Sequence, residues 1–293
     1  MRLLLTTLTR PSILYPNLRS LLRSRGISTS TSEFCTLESL SGADGGIAVL
    51  TMNRPAAKNA ISRQFLGEFR DIVSRIRFDG DVRVLVLRSL VDGVFCAGAD
   101  LKERATMAPS EVSQFLYSLR QAFRELETLP QPTIASIDGA ALGGGLEMAL
   151  CCDLRVVGAK AKVGLPETKL AIIPGAGGTQ RLSRLIGPAK AKELILTARI
   201  LNAKQAADTG IANYAVDEES SFEKALSLSR EILPQGPVAI RMAKLAVDRG
   251  CQLDIDSGLD VEQACYAQVI PTEDRLEGLR AFKEKRAPVY KGR

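Results

Sequence analysis

The sequence predicts a layered α/β fold that finishes in a helical region, and three observations carry that reading. Apolar, strand-like runs alternate with amphipathic helical patterns at intervals of some tens of residues, as in α/β architectures. From Thr179 onward the pattern is almost wholly helical. The 293 residues are enough for one large domain, alone or with a small appendage.

Residues 1–32 differ in composition from the rest of the chain. They hold Arg2, Arg10, Arg19, Arg23 and Arg25, eleven Ser/Thr and no acidic residue, which is the composition of an organellar transit peptide. Pro11 and Pro16 interrupt the apolar block that a secretory signal would need, and the arginine content points to the mitochondrial matrix. Without these five arginines the net charge of +6 falls to +1, so the basic balance does not argue for nucleic acid.

GGIAVLTMN (45–53) reads as a buried strand bounded by glycines and by Arg54-Pro55. Ser62 is the expected N-cap of a helix through QFLGEFRDIVSRIRF, with Phe65, Phe69, Ile72, Val73 and Ile76 on one face. VRVLVLRS (82–89) is a second strand. VDGVFCAGADLKER comes next as a loop, then a helix from about Ser110 to Leu129, stopped by Pro130 and Pro132. TIASID (133–138) is a third strand feeding Gly143, Gly144 and Gly145, which open another helix. DLRVVG and AKVG read as short strands ahead of Glu167, and helical segments then run to the C-terminus.

The chain has no histidine. That removes Ser-His-Asp and Cys-His nucleophilic catalysis and imidazole proton shuttling, and leaves acid–base work to carboxylates, lysines, tyrosines or cysteines. The six cysteines show no CxxC spacing and read as unpaired thiols in a reducing compartment, with no metal site. No apolar run reaches the length of a membrane-spanning helix.

The glycine triplet fits neither the phosphate-cradling GxxxxGK[ST] spacing nor the dinucleotide GxGxxG pattern. Unpaired N–H groups at such a helix start can form an oxyanion hole; the alternative is close helix-to-strand packing. Glu147 lies in the first turn of that helix among Leu146, Met148, Ala149 and Leu150, where a carboxylate is costly unless paired or used. Its alternative role is to face solvent or to stabilise the helix N-terminus. Glu167, after Pro166, is a second first-turn carboxylate, and two carboxylates around one centre can serve as acid and base. FCAGADLK (95–102) is either a loop aiming another N–H into the same site or a tight packing turn.

ALGGGLEMAL with CDLRV, FCAGADLKER and GLPETKLAIIPGAGGTQRL resemble the enoyl-CoA hydratase/isomerase, or crotonase, superfamily from about residue 36 onward. LPQGPVAIRMAKLAV, EQACYAQVIPTEDRLEGL and AFKEKRAPVYKG look most like its methylglutaconyl-CoA hydratase branch. The resemblance implies a crotonase (ClpP-like) spiral of ββα units over 36–235 and a helical trimerisation region over 236–293, assembled as a homotrimer or homohexamer. It implies an oxyanion hole from the N–H groups of Ala99 and Gly144, with Glu147 activating water and Glu167 protonating C2 of a 2-enoyl-CoA thioester. Ala99, Asp100, Leu101 and Lys102 would line the CoA and thioester site, with Lys58 near its phosphate end. Tyr266 and Lys285 would close over the ligand, Lys285 from a neighbouring subunit. No cofactor is implied beyond the coenzyme A of the substrate.

Having both glutamates favours hydration over the family's isomerase activity. One member of the branch also binds AU-rich RNA, and Lys58, Arg63, Arg70, Arg75 and Arg77 could supply a basic face. Acidic residues interrupt that helix, and the processed chain is nearly neutral, which argues against an RNA-binding protein.

Overall fold

The computed structural model describes residues 32–218 and 220–293. The transit-peptide expectation therefore falls outside the described residues, Ser32 excepted. Two sheets organise the chain. The first has strand order β1 (Cys35–Ser39), β2 (Ile47–Met52), β3 (Val84–Ser89), β5 (Thr133–Ile137), β7 (Leu154–Gly158) and β10 (Tyr214–Val216). Only β1 runs antiparallel to its neighbour. The second has order β4 (Val94–Cys96), β6 (Ala140–Leu142), β8 (Lys162–Gly164) and β9 (Ile200–Asn202).

Successive units place one strand in the first sheet, the next in the second, and then a helix. β3 and β4 lead to α2 (Leu101–Ala105) and α3 (Pro109–Glu127). β5 and β6 lead to α4 (Gly144–Ala149), and β7 and β8 to α5 (Gly178–Ile186). This is the expected spiral of ββα units.

The central strands read as unbroken apolar runs because both of their faces are buried. Ala48, Leu50, Met52, Leu85 and Leu87 join the main core under α1 (Arg63–Phe78) and α3. The alternate residues Ile47, Val49, Val84, Val86, Ile134 and Val156 pack with Ala225, Leu226 and Leu228 of α8 (Ser221–Ile232). On α1 the predicted face is buried, with Leu66 added to it, and the Ser62 side chain accepts from the Phe65 N–H as the cap. Burying such side chains contributes roughly 1.5–3 kcal/mol each, and the cap about 1 kcal/mol.

The sequence reading missed β1 and four further strands. β4 lies inside the expected 91–104 loop, together with α2, and β6 lies between TIASI and the glycines. β9 and β10 interrupt the region expected to be wholly helical. All four are three residues long, too short to show a period of two, and they exist through pairing with distant strands.

After α6 (Pro188–Leu196) and α7 (Ala203–Thr209), the chain ends in α9 (Pro237–Gly250), α10 (Ile255–Val269) and α11 (Glu273–Glu284). Lys244 on α9 donates to the Gln131 carbonyl and to Asp153, which also accepts from the Thr133 N–H, tying α9 to the N-terminal ends of β5 and β7. All six cysteines are unpaired, and all but Cys251 are buried. Among the described residues no helix is long and apolar enough to cross a membrane.

Candidate active site

β4, β6 and β8 are adjacent and parallel, so their C-terminal ends emerge on one side of the second sheet. Each end delivers one piece of the site, as expected where parallel strands meet helix starts. β4 leads to Ala99, β6 to Gly143 and Gly144, and β8 through Leu165 and Pro166 to Glu167. The pieces are linked directly, because the Gly143 N–H donates to the Gly164 carbonyl at 2.9 Å.

The β4 loop is held from the side. Lys58 and Asn59 both adopt left-handed backbone, at φ of 52° and 54°. The buried Asn59 side chain donates to Ser89 Oγ and to the Phe95 carbonyl. This turn presents Ile61, whose N–H donates to the Gly98 carbonyl and whose carbonyl accepts from the Asp100 N–H. Ala99 lies between those two bonds with its own N–H turned away from Ile61. Gly98 sits at φ of +97°, and a Cβ there would come within 2.9 Å of the Leu142 carbonyl and 3.2 Å of the Gly144 nitrogen. A side chain would push the two loops apart.

The three glycines of the triplet have separate tasks. Gly143 adopts φ of +54°, and a Cβ on it would lie 3.2 Å from Glu167 Oε1. Gly144 opens α4, so its N–H has no intrahelical acceptor, and a Cβ built on it would sit 3.5 Å from the Ala99 nitrogen. Gly145 packs against β4, where a Cβ would overlap the Cys96 carbonyl. Gly144 thus places an N–H at the helix start, and Gly145 is the close helix-to-strand packing of the alternative reading.

Glu147 is 3% exposed, which removes the solvent-facing alternative. Its Oε1 accepts from the Ala176 N–H at 2.8 Å, on the loop before α5, and from the Gly178 N–H at 2.7 Å, where α5 begins. Burial pushes its carboxyl above the usual range, against the pull of those donors and of the Arg181 and Arg104 charges. The loop is itself pinned. Arg181 donates to the Ala176 carbonyl and makes a two-pronged pair with Glu127, whose carboxyl is held low by Arg181 and Arg124 despite its burial. At the other end of α4, the buried Arg155 donates to the Ala149 and Cys152 carbonyls.

Glu167 begins a 3-10 turn, Glu167–Leu170, and is supported differently. Its Oε2 is buried without a hydrogen-bond partner among the described residues. Burial, reinforced by the charge of Glu147, raises its carboxyl to about 7. Burial thus raises both carboxyls, Glu147 against two backbone donors at one oxygen and Glu167 with a buried oxygen that has none.

Glu147, Glu167, Ala99, Gly144 and Leu101 all line one cavity of about 160 Å³. The sequence reading missed its walls, Leu116, Leu119, Leu170, Ile172 and Ile173, and the Arg104 guanidinium. It also missed the Ala176 and Gly178 donors, although the glycine-rich IIPGAGG was a legible signal for a second backbone-donor loop. Lys58, Lys102, Tyr266 and Lys285 do not line the cavity. The first two are exposed, Lys102 next to Leu101 in sequence and Lys58 with its carbonyl accepting from the Ala97 N–H; Tyr266 is 63% exposed on α10, and Lys285 caps α11. Asp100 caps α2 and pairs with Arg54 at 2.8 Å, so its carboxylate shapes the loop. In the proposed basic face, Arg63, Arg70 and Arg77 are engaged with Glu111, Glu125 and the Thr128 carbonyl.

Two carboxyl groups about one cavity, with the Ala99 and Gly144 backbone at its wall, are the kind of groups that acid–base chemistry on a carbonyl substrate uses. The sequence profile described as enoyl-CoA hydratase/isomerase matches residues 42–293, and the chain belongs to that family. It is 54% identical over 266 residues to "Probable enoyl-CoA hydratase 2, mitochondrial" of Arabidopsis thaliana, covering 91% of this chain and 88% of that protein. It is also 54% identical over 251 residues to human "Methylglutaconyl-CoA hydratase, mitochondrial", covering 84% and 74% respectively. The crystal structure of an enoyl-CoA hydratase from Bacillus anthracis superimposes with a TM-score of 0.86 at 44% identity, over 89% of this chain and 100% of that one. The fold is the crotonase spiral and the activity that of an enoyl-CoA hydratase, a hydro-lyase.

Proposed function

We propose that the N–H groups of Ala99 and Gly144 bind the thioester oxygen, that Glu147 activates water for addition at C3, and that Glu167 protonates C2. The observation that carries this is the single cavity holding both carboxylates and both donor residues. Addition at C3 places negative charge on the thioester oxygen, and each fixed donor there contributes about 2.7–4 kcal/mol to the barrier reduction. Glu147 suits the base role because two backbone N–H groups stabilise its anion; Glu167 suits the acid role because it stays protonated to about pH 7. The reaction drawn this way runs on the chain's own groups and needs no cofactor beyond the coenzyme A of the substrate.

Leu101 would border the acyl thioester, with Asp100 and Lys102 framing the CoA path and Lys58 near its phosphates. Tyr266 and Lys285 would contribute once subunits assemble as a homotrimer or homohexamer. The exposed apolar side chains of the C-terminal helices, including Leu245, Leu259, Leu279 and Phe282, are the kind of surface that assembly covers. The mitochondrial names of the relatives and the arginine-rich leader support the mitochondrial matrix as its location. Resemblance to the methylglutaconyl-CoA hydratase branch favours 3-methylglutaconyl-CoA as a substrate. The test is the kcat/KM series for 3-methylglutaconyl-CoA, crotonyl-CoA and a longer enoyl-CoA, with 3-hydroxyacyl-CoA as the measured product. Highest efficiency on the first supports the branch assignment, and conversion of 3-enoyl-CoA to 2-enoyl-CoA without net hydration would overturn the hydratase reading.

A further inference from the structure

Among the described residues, Arg104 supplies the one guanidinium in the wall of the reaction cavity. It lies in the last turn of α2, half-buried, and its backbone N–H continues the turn by donating to the Asp100 carbonyl. Neighbouring arginines have carboxylate partners: Arg54 with Asp100, Arg63 with Glu111, and Arg181 with Glu127. Among the described residues the Arg104 side chain has neither an ion pair nor a hydrogen bond. Around it the cavity wall is aliphatic, with Leu116, Leu119, Ile172 and Ile173.

A guanidinium taken partly out of water among aliphatic side chains is costly until an anion meets it. Its planar fork matches a carboxylate with two parallel N–H donors. Of the two carboxylates that share the cavity, Glu147 feels the Arg104 charge but takes its hydrogen bonds from the Ala176 and Gly178 amides, and Glu167 has no donor at its buried oxygen. An anion that hydrogen-bonds the guanidinium would come with the substrate, on the acyl side where the apolar wall lies.

We infer that Arg104 receives a carboxylate at the far end of the acyl chain, so that the preferred substrates are 2-enoyl thioesters ending in an acid. This deepens the hydratase reading and rests on it. The acid group takes no part in the chemistry: water oxygen bonds to C3, a proton goes to C2, and the distal carboxylate fixes where the double bond sits between the two glutamates.

The test compares glutaconyl-CoA, which ends in a carboxylate, with hex-2-enoyl-CoA, a neutral chain of similar length. Wild-type enzyme is expected to favour glutaconyl-CoA in kcat/KM. Arg104→Leu should lower the ratio of the two by about 10- to 100-fold, the range of a charged hydrogen bond, and Arg104→Lys should restore part of it. Equilibrium binding of the unreactive glutaryl-CoA and hexanoyl-CoA should show the same selectivity and the same loss, which reads the contact without turnover. An unchanged ratio, or an equal loss on both substrates, overturns the inference; the second result would mean that Arg104 acts only through the charge of Glu147. A wild-type enzyme that hydrates hex-2-enoyl-CoA but shows no preference for the acid overturns the inference alone. One that hydrates neither overturns the hydratase reading, and the inference with it.

Discussion

The two glutamates face one cavity from elements built to opposite specifications. Glu147 sits on a buried helix whose far end is capped by Arg155, and its carboxylate is met by two backbone donors, one at the start of α5 and one on the loop before it that Arg181 and Glu127 fasten. Glu167 begins a short 3-10 turn and leaves a buried oxygen with no donor among the described residues. The difference lies in what supports each carboxyl around one cavity. Preorganised N–H groups favour the anion, and a dry, unpartnered oxygen favours the acid.

Neutralising each glutamate in turn separates their roles. Glu147→Gln should lower kcat for crotonyl-CoA hydration by about 10³–10⁴-fold and Glu167→Gln by about 10²–10³-fold, within the range of general acid–base groups. The pH profiles should separate them further. With Glu167 as the acid, wild-type kcat/KM falls as pH rises through about 7, because the required proton is lost there. Glu167→Gln should lose that alkaline limb, and Glu147→Gln should keep it. Loss of the alkaline limb in Glu147→Gln instead would exchange the two roles.

A smaller effect tests the support beneath Glu147. Arg181→Met removes the pair with Glu127, the hold on the Ala176 carbonyl, and a positive charge that favours the Glu147 anion. The expected result is about a tenfold loss of kcat with KM for crotonyl-CoA little changed, a positioning effect of the kind small misplacements produce. Without that charge the Glu147 carboxyl rises further, so the acid limb of the profile moves to higher pH. A loss of stability with an unmoved acid limb would assign Arg181 a purely structural role.

The same contrast explains what was legible in the sequence. Glu147 could be found because a carboxylate inside LEMAL breaks an apolar pattern, and the missing histidines left little else to carry protons. Strands β2, β3 and β5 could be found because burial on both faces makes them continuously apolar. Strands β4, β6, β9 and β10 could not, since three residues carry no period and their existence depends on partners far away in the chain. The Ala176 and Gly178 donors are backbone atoms, and Arg104 became a cavity residue only when α2 folded against the site. Gly145 and Gly144 are identical in sequence, and only the approach of the Cys96 carbonyl separates packing from function.

The smallest expected effect is on stability, and it isolates Glu167. Its carboxyl titrates near the ordinary 4.5 in the unfolded chain and at about 7 in the folded one. Below about pH 4.5 it is protonated in both states and carries no penalty. Between those values the unfolded chain has released a proton that the folded chain still holds, so stability declines as pH rises, and the loss is complete above about 7. The penalty is on the order of 1 kcal/mol once the solvent-facing part of the group is allowed for. Glu167→Gln cannot ionise and escapes it. Its melting temperature should exceed wild type by about 2–4 °C near pH 8.5, with the advantage fading towards pH 4.5. A difference that does not change with pH would show that the buried, unpartnered oxygen is not what raises this carboxyl, and Glu167 would then differ from Glu147 by position alone.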